Sequence, residues 1–549
     1  MAAPGPSRFA THAVGNQPPP LADLDLFSSD RALSEAVARE GAAWAQSDLA
    51  GFGRRLGSAA TLELGDLANR FPPVLHAFDR HGHRRDAVEF HPAWHALLAL
   101  YVGQGLHASP WADPRPGAHV ARAAGLVLAC EVEAGAACPI VMTHGAIPVL
   151  RAADPGLAAD WLPKLLSRVH DAGFGPIGGK AGALIGMGMT EKQGGSDVRA
   201  NTTRAEPAGE GAWRLVGHKW FLSAPMCDAF LVLAQAPGGL TCFFLPRWMP
   251  DGDLNALRIQ RLKDKVGNRS NASAEVEFQD ALAWKLGEEG RGVATIIAMA
   301  AQTRLDCALG TCGLMRRALA EAIHHAGHRR AFGRTLAEQP LMRNLLADLA
   351  LEYEAAIALA MRLARAFDAG ADPAEAMLRR LLTPAAKYWI CRRGPAFAAE
   401  AMEVLGGNGY VEEAPLGRLY REMPVNAIWE GSGNIMALDV LRAFARTPAM
   451  LELMLAELRP ALGGNRHFDA GLPRLEARLR AGVQEEEARS LVQHLVQLLQ
   501  AALLLRGAPT AVAEAFCISR LGEDAGGGAF GTLPAGLATG EILERARPA

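Results

Sequence analysis

The chain has 549 residues, half of them hydrophobic and 21% charged; that is too long for one ordinary core and too apolar for a disordered chain, so roughly three to four globular domains are expected. Lysine plus arginine number 56 against 58 aspartate plus glutamate, which excludes a bulk electrostatic pull toward nucleic acid or an anionic membrane; such a partner needs a local patch. The eight cysteines are scattered, with no Cys-x-x-Cys pair and no zinc-like His/Cys spacing, so no metal site and a reduced, cytoplasmic setting are expected.

Met1 to Leu21 is rich in Pro, Gly and Ala and lacks a basic start followed by an apolar run, so it does not read as a signal peptide. From Asp30 to about Lys180, Ala- and Leu-rich runs recur at three-to-four spacing, with breaks at Phe71-Pro72-Pro73 and around Pro110 to Pro116. This predicts an N-terminal α domain over 1–180. Over 181–290 the texture changes to short alternating runs, Trp213 to Val216, Phe230 to Ala234, Leu240 to Leu245 and Ala274 to Phe278, parted by Gly, Pro, Asn and Asp. Short strands with frequent turns predict an antiparallel β-barrel or sandwich. Helical periodicity returns over 291–446, interrupted at Gly333, Pro340, Gly370 to Pro373, Pro384, Gly394-Pro395 and Gly406 to Gly409. A four-helix antiparallel bundle is expected there. Residues 447–549 form an appended helical domain. Within it Leu491 to Leu505 is interrupted by Gln493, His494, Gln497 and Gln500, as in an amphipathic helix and not a membrane span. The small-residue stretch Gly526 to Gly540 is expected to be loosely ordered.

Two glycine-bearing motifs call for chemistry. Gly173-Phe174-Gly175-Pro176-Ile177-Gly178 has dinucleotide-binding spacing, but it follows the helical stretch Trp161 to His170 instead of a strand, and Pro176 opposes continuation into a helix. A domain linker is the better reading. Gly188-Met189-Thr190-Glu191-Lys192-Gln193-Gly194-Gly195-Ser196-Asp197-Val198-Arg199-Ala200 offers hydroxyls and adjacent glycines whose N–H groups can approach an anion closely. By composition, an anion-binding loop and a plain hairpin turn fit it equally.

That segment resembles the first signature of the acyl-CoA dehydrogenase family, and Glu403-Val404-Leu405-Gly406-Gly407-Asn408-Gly409-Tyr410, continuing through Glu413, Arg418 and Glu422, resembles the second. The resemblance implies FAD. Met189 and Thr190 would contact the flavin, Ser196 its pyrophosphate, and Ser223 in Gly217-His218-Lys219-Trp220-Phe221-Leu222-Ser223 would hydrogen-bond flavin N5 where relatives carry Thr. Phe221 falls where most relatives carry a ring-stacking Trp. Arg329, with Arg330-Ala331-Phe332-Gly333 and Gln339, resembles the segment that reaches the FAD of a neighbouring subunit; Arg329 alone would read as an exposed helix charge. Gly407, Ser432 and Asn434 come with the second signature and with Ile428-Trp429-Glu430-Gly431-Ser432-Gly433-Asn434, which resembles the stretch carrying the catalytic base. Glu430 is therefore the expected base: removing a proton α to a thioester needs a desolvated carboxylate. Isovaleryl-type relatives keep the base on the first bundle helix, where this chain has Thr303 beside Arg304.

Within the family the likeness is strongest to the AidB branch, flavoproteins of the adaptive response to DNA alkylation. It runs through Gly15-Asn16-Gln17-Pro18, Phe90 to His95, Leu262 to Lys265 and Gly267 to Ser273. This resemblance implies a homotetramer, FAD, weak dehydrogenation of short branched acyl-CoA and contact with double-stranded DNA. The alternative is a sequence-independent DNA-binding flavoprotein with a vestigial dehydrogenase site. Trp429, in place of the usual Tyr, would narrow an acyl pocket. The last hundred residues carry ten Arg, no Lys and twelve acids, so the better phosphate-binding candidate is the stretch Arg362, Arg365, Arg379, Arg380, Lys387, Arg392 and Arg393.

Overall fold

A computed structural model describes residue 9 and residues 11–522 and 528–548. The first eight residues of the Met1 to Leu21 segment, Ala10, and Gly526 and Gly527 of the small-residue stretch lie outside the described residues.

The N-terminal part holds helices α1 (Arg31–Val37), α2 (Gln46–Gly57), α3 (Ala59–Arg70), α4 (Pro92–Gly103), α5 (Ser109–Ala112), α6 (Ala118–Val132), α7 (Ala137–Ala153) and α8 (Pro155–Leu165). Their starts follow local chemistry: Ser58 caps α3, Asp154 caps α8, and His91 caps α4 just before Pro92. This part is not all helical, contrary to expectation. A hairpin, β1 (Val74–Phe78) and β2 (Arg84–Glu89), stands between α3 and α4. Its reason is local: the Asp79 carboxylate accepts the backbone N–H groups of His81 and His83 at 2.8 and 2.9 Å and closes the turn.

The central sheet comprises β3 (Ile185–Gly188), β4 (Arg204–Gly209), β5 (Ala212–Ser223), β6 (Ala229–Ala236), β7 (Gly239–Pro246), β8 (Leu257–Leu262) and β9 (Ser273–Leu286). These seven strands lie in the order β3-β5-β4-β6-β7-β9-β8, with further pairings β3–β6 and β5–β9. Most neighbours are antiparallel, but β3 and β4 run parallel to β6, so the fully antiparallel expectation is corrected. Along β5 both Lys219 and Leu222 face inward although they are three apart, which strict alternation forbids. A register shift against β9 between Lys219 and Leu222 absorbs the extra residue and turns Phe221 outward, 47% exposed.

The bundle consists of α9 (Gly292–His328), α10 (Pro340–Asp368), α11 (Pro373–Val404), α12 (Pro415–Asn426) and α13 (Gly433–Arg446). A small hairpin, β10 (Arg330–Ala331) and β11 (Arg334–Thr335), joins α9 to α10. Helix α11 runs unbroken through Pro384, Gly394 and Pro395, where breaks were expected. Burial against α9 and α12 outweighs the lost backbone bonds. Gly394 is an approach point: a Cβ there would lie 2.6 Å from Met423 Sδ and 3.0 Å from Thr311.

The last segment forms α14 (Met450–Leu458), α15 (Arg466–Ala481), α16 (Ala488–Gly507), α17 (Thr510–Leu521) and α18 (Thr539–Ala546). Its core is continuous with that of the bundle. Ion pairs staple it there, Arg520 to Asp348 and Glu352, Arg545 to Glu354, and Glu457 to Arg362. The described part of the small-residue stretch is anchored, not loose. Phe530 and Leu533 are buried, and Asn344 exchanges two hydrogen bonds with the Leu533 backbone at 2.8 and 3.0 Å. Among the described residues no helix is long and apolar enough to cross a membrane.

Candidate active site

The loop after β3 is built around an ion pair that sequence reasoning passed over. Lys219 Nζ donates to Glu191 Oε1 at 2.7 Å, both side chains being fully buried. Glu191 also accepts from the Thr202 N–H at 2.6 Å and the Thr203 N–H at 3.2 Å, and Lys219 reaches the Leu233 carbonyl at 2.7 Å. Burial raises the Glu191 pKa, but the Lys219 charge and these donors outweigh it and hold the carboxyl at about 2. The signal in the sequence was a lysine at an inward-facing position of a strand. The pair ties the loop to β5, and so does the Trp220 N–H, which donates to the Thr190 carbonyl at 2.9 Å. Met189 offers its carbonyl to Asn201 at 2.9 Å. Gly195 is required by contact, since a Cβ would sit 2.4 Å from Thr190 Oγ1. Ser196 is exposed at the rim.

Glu430 lies between α12 and α13 in a left-handed turn, with φ of +58° at Glu430 and +108° at Gly431. That conformation costs a non-glycine residue about 1–2 kcal/mol and persists where contacts over-determine it. Two cations hold it: Arg304 Nε donates to the Glu430 carbonyl at 2.9 Å, and Lys387 Nζ to the Gly431 carbonyl at 2.6 Å. Arg304 also pairs with Asp439 on α13 at 3.3 Å, an acid that takes Arg380 as well at 2.6 Å. The carboxyl itself has a buried Oε2 with no hydrogen-bond partner. Burial raises its pKa, partly offset by Arg304, the Thr303 hydroxyl and Lys387. Thr303, at the alternative base position, is thus a neighbour of Glu430.

The Cys138 thiol, at the start of α7, is buried within electrostatic reach of Glu430. Burial pushes it up to about 12, and it feels the charges of Lys265 and Glu430. Ser223 closes β5, opposite Ser273 of β9 and Met187 of β3. Asn271 is fully buried with both amide atoms unpartnered, and Lys265 Nζ donates to its carbonyl at 2.6 Å. Sequence reasoning gave neither Asn271 nor Lys265 a role. Trp429 packs against the sheet core with its Nε1 buried and unpartnered. Ser432 occupies the N-cap position of α13 without a side-chain cap bond, and Asn434 in the first turn is exposed.

Arg329, Phe332, Gln339 and Gly407 gather elsewhere. Asn16 binds the Arg330 backbone from both sides, at 2.7 and 2.9 Å, and accepts Arg329 on its carbonyl at 2.8 Å. Gln339 donates to the Ala331 carbonyl at 3.1 Å, and Asn408, next to the exposed Gly407, meets Gln17 at 3.4 Å. Phe332 caps the hairpin at φ +54° and is 96% exposed. Among the described residues no hydrogen bond joins this group to the Glu430 group.

The arginine stretch on α10 and α11 does not form the phosphate-binding face expected of it. Arg362 is buried between Glu375 and Glu457, Arg365 binds Glu40, Arg380 binds Asp439 and Arg393 binds Glu352. Arg379 lies over the Phe367 ring, and Lys387 is buried. Arg392 remains exposed. The clustering is real in sequence, but four of its seven charges are paired with acids from other elements.

Residues 16–172 match the adaptive response protein AidB N-terminal domain, 186–281 the acyl-CoA dehydrogenase middle domain and 290–445 the acyl-CoA dehydrogenase C-terminal domain. The chain is 54% identical over 510 residues to the putative acyl-CoA dehydrogenase AidB of Escherichia coli, covering 93% of this chain and 94% of that protein. The crystal structure of Caenorhabditis elegans ACDH-11 in complex with C11-CoA superposes with a TM-score of 0.85 at 27% identity, over 94% of this chain and 95% of that one. A glutaryl-CoA dehydrogenase from Mycobacterium smegmatis in complex with FADH2 shares the fold at a TM-score of 0.54 and 20% identity, over 64% of this chain and 87% of that one.

Proposed function

The chain belongs to the acyl-CoA dehydrogenase family, with the domains of its AidB members, and from that premise we propose that it oxidises a short branched acyl-CoA with Glu430 as the base. It is an FAD-dependent oxidoreductase. The residues present fit a flavin: Phe221 is turned outward at the β5 bulge, Ser223 ends the same strand, and the Asn271 amide and Trp429 Nε1 are buried polar groups without partners. When bound, the FAD supplies the acceptor for the hydride that leaves the β carbon. Met189 and Thr190 would hold the ring through backbone and hydroxyl, Ser223 would donate to N5, and Ser196 would meet the pyrophosphate.

The observation that carries the reading is the buried, unpartnered Oε2 of Glu430 on a turn held by Arg304 and Lys387. A carboxyl raised by burial takes the α-proton more readily than a solvated one, and its fixed turn keeps the oxygen aimed. Trp429, packed on the sheet core, fills space beside the carboxylate and favours small acyl groups. The test is anaerobic bleaching of the flavin by isovaleryl-CoA in the parent and in Glu430→Gln. FAD should stay bound while the reduction rate falls by about 10²–10⁴-fold; undiminished reduction would place the base elsewhere.

The exposed Phe332 and the Arg329–Gln339 hairpin support a homotetramer in which this hairpin completes a neighbour's FAD site. A second reading, sequence-independent contact with double-stranded DNA and a role in alkylation protection, is supported by the match of 16–172 to an adaptive response protein. Within the 362–393 stretch Arg362, Arg365, Arg380 and Arg393 are already tied to acids, which argues against it as the contact surface. Salt-dependent anisotropy of a fluorescent duplex tests it, and no binding at low salt would end it.

A further inference from the structure

We propose that Lys387 is a positioning residue for the Glu430 base: from α11 its ammonium holds the second carbonyl of the Glu430–Gly431 turn and brings a positive charge without an ion-pair partner into the neighbourhood of the carboxylate. The inference rests on the reading of Glu430 as the base. Lys387 is among the largest fully buried side chains of the protein. A buried ammonium is costly unless it is paired, and among the described residues Lys387 has no ion pair. Its hydrogen bond goes to the Gly431 carbonyl at 2.6 Å. Arg304 holds the preceding carbonyl at 2.9 Å, so consecutive peptide planes on either side of Gly431 are fixed by cations from two helices. Together these fix a left-handed turn that Glu430 would not adopt unaided.

The two cations differ in their charge balance. Arg304 has an acidic partner, Asp439, which it shares with Arg380. Lys387 faces the Cys307 and Cys391 thiols, both held protonated by burial, and its charge reaches Glu430. The other groups facing Glu430 are Arg304, Thr303 and Asp306 from α9, and Cys138 from α7. Burial raises the Glu430 pKa, and Lys387 is one of the groups that limit the rise. Without it the carboxyl would hold its proton to higher pH.

Lys387→Met removes the bond and the charge; Lys387→Gln removes the charge but keeps a donor. The experiment is the pH dependence of anaerobic flavin reduction by isovaleryl-CoA in the FAD-loaded parent, both variants and Glu430→Gln. The rate rises with pH as Glu430 loses its proton. In both variants this limb should move to higher pH, so that at any pH on the limb both reduce the flavin more slowly than the parent. The high-pH plateau should fall further in Lys387→Met than in Lys387→Gln, because only the latter can still hold the Gly431 carbonyl. Parental limb and plateau in variants that keep FAD would overturn the proposal. Loss of FAD by both variants would also overturn it, by making Lys387 a residue of folding alone. Undiminished reduction in Glu430→Gln would instead remove the base reading itself, a result read separately from the Lys387 variants.

Discussion

Replacing Lys219 with Met keeps the length of the stem and deletes the charge of a fully buried pair. Glu191 would retain the Thr202 and Thr203 N–H donors at 2.6 and 3.2 Å, but lose its counter-ion at 2.7 Å. The Leu233 carbonyl would lose its donor at 2.7 Å as well. Leaving one charge of such a pair uncompensated costs about 3–5 kcal/mol. The loss falls on the loop that carries Met189, Thr190 and Ser196, so FAD should bind more weakly too. The pH dependence has a definite sign. In the parent, Glu191 is held at about 2, so its stabilisation is present above the unfolded value of 4.5 and is lost as pH falls through about 2. In the variant the orphaned carboxyl is raised, so the deficit narrows as pH drops below about 5. Urea titrations of Lys219→Met, Glu191→Gln and the double variant form a thermodynamic cycle. The double variant should recover at least about half of the single loss, since it buries no lone charge. A Lys219→Met loss below about 1 kcal/mol, or strict additivity in the cycle, would refute the role given to the pair.

Two further changes probe other links. His119 is buried among Trp111, His144 and Phe367, and burial, with Arg122 and Arg379 nearby, lowers its pKa from 6.5 to about 3. Its contribution to stability is present above pH 6.5 and lost as pH falls, about 2 kcal/mol by pH 5. His119→Phe should therefore lose less stability than the parent between pH 7.5 and 5, and an equal loss in thermal melts would contradict the buried neutral ring. Asp368, raised to about 6 by burial, titrates in the opposite sense in both proteins and cancels in the comparison. Phe332→Gly relieves a left-handed aromatic and should stabilise the isolated chain by about 1 kcal/mol. If the hairpin serves a neighbour, the same change should lower both the sedimenting mass and the retained FAD, and unchanged values of both would remove the hairpin from the assembly.

Read without coordinates, the chain already located the strands at Trp213, Phe230, Leu240 and Ala274, because alternation depends on residues next to one another. The signature segments around Thr190 and Glu430 were legible for the same reason: their glycines and hydroxyls lie within a few residues. The hairpin at Val74 was missed because five alternating residues among helices carry little signal. The unbroken α11 was missed because burial, not propensity, decides what two prolines do inside a packed helix. What lay beyond local reading was every feature whose partners are far apart in the chain. The Glu191–Lys219 pair spans 28 positions, the Arg304 bond to Glu430 126, and the Arg393 bond to Glu352 41. A charge run reads the same on a solvated face as on one neutralised by another helix. Only the packing of α10, α11 and α13 turned Lys387 from a candidate phosphate ligand into a buried support for the Glu430 turn.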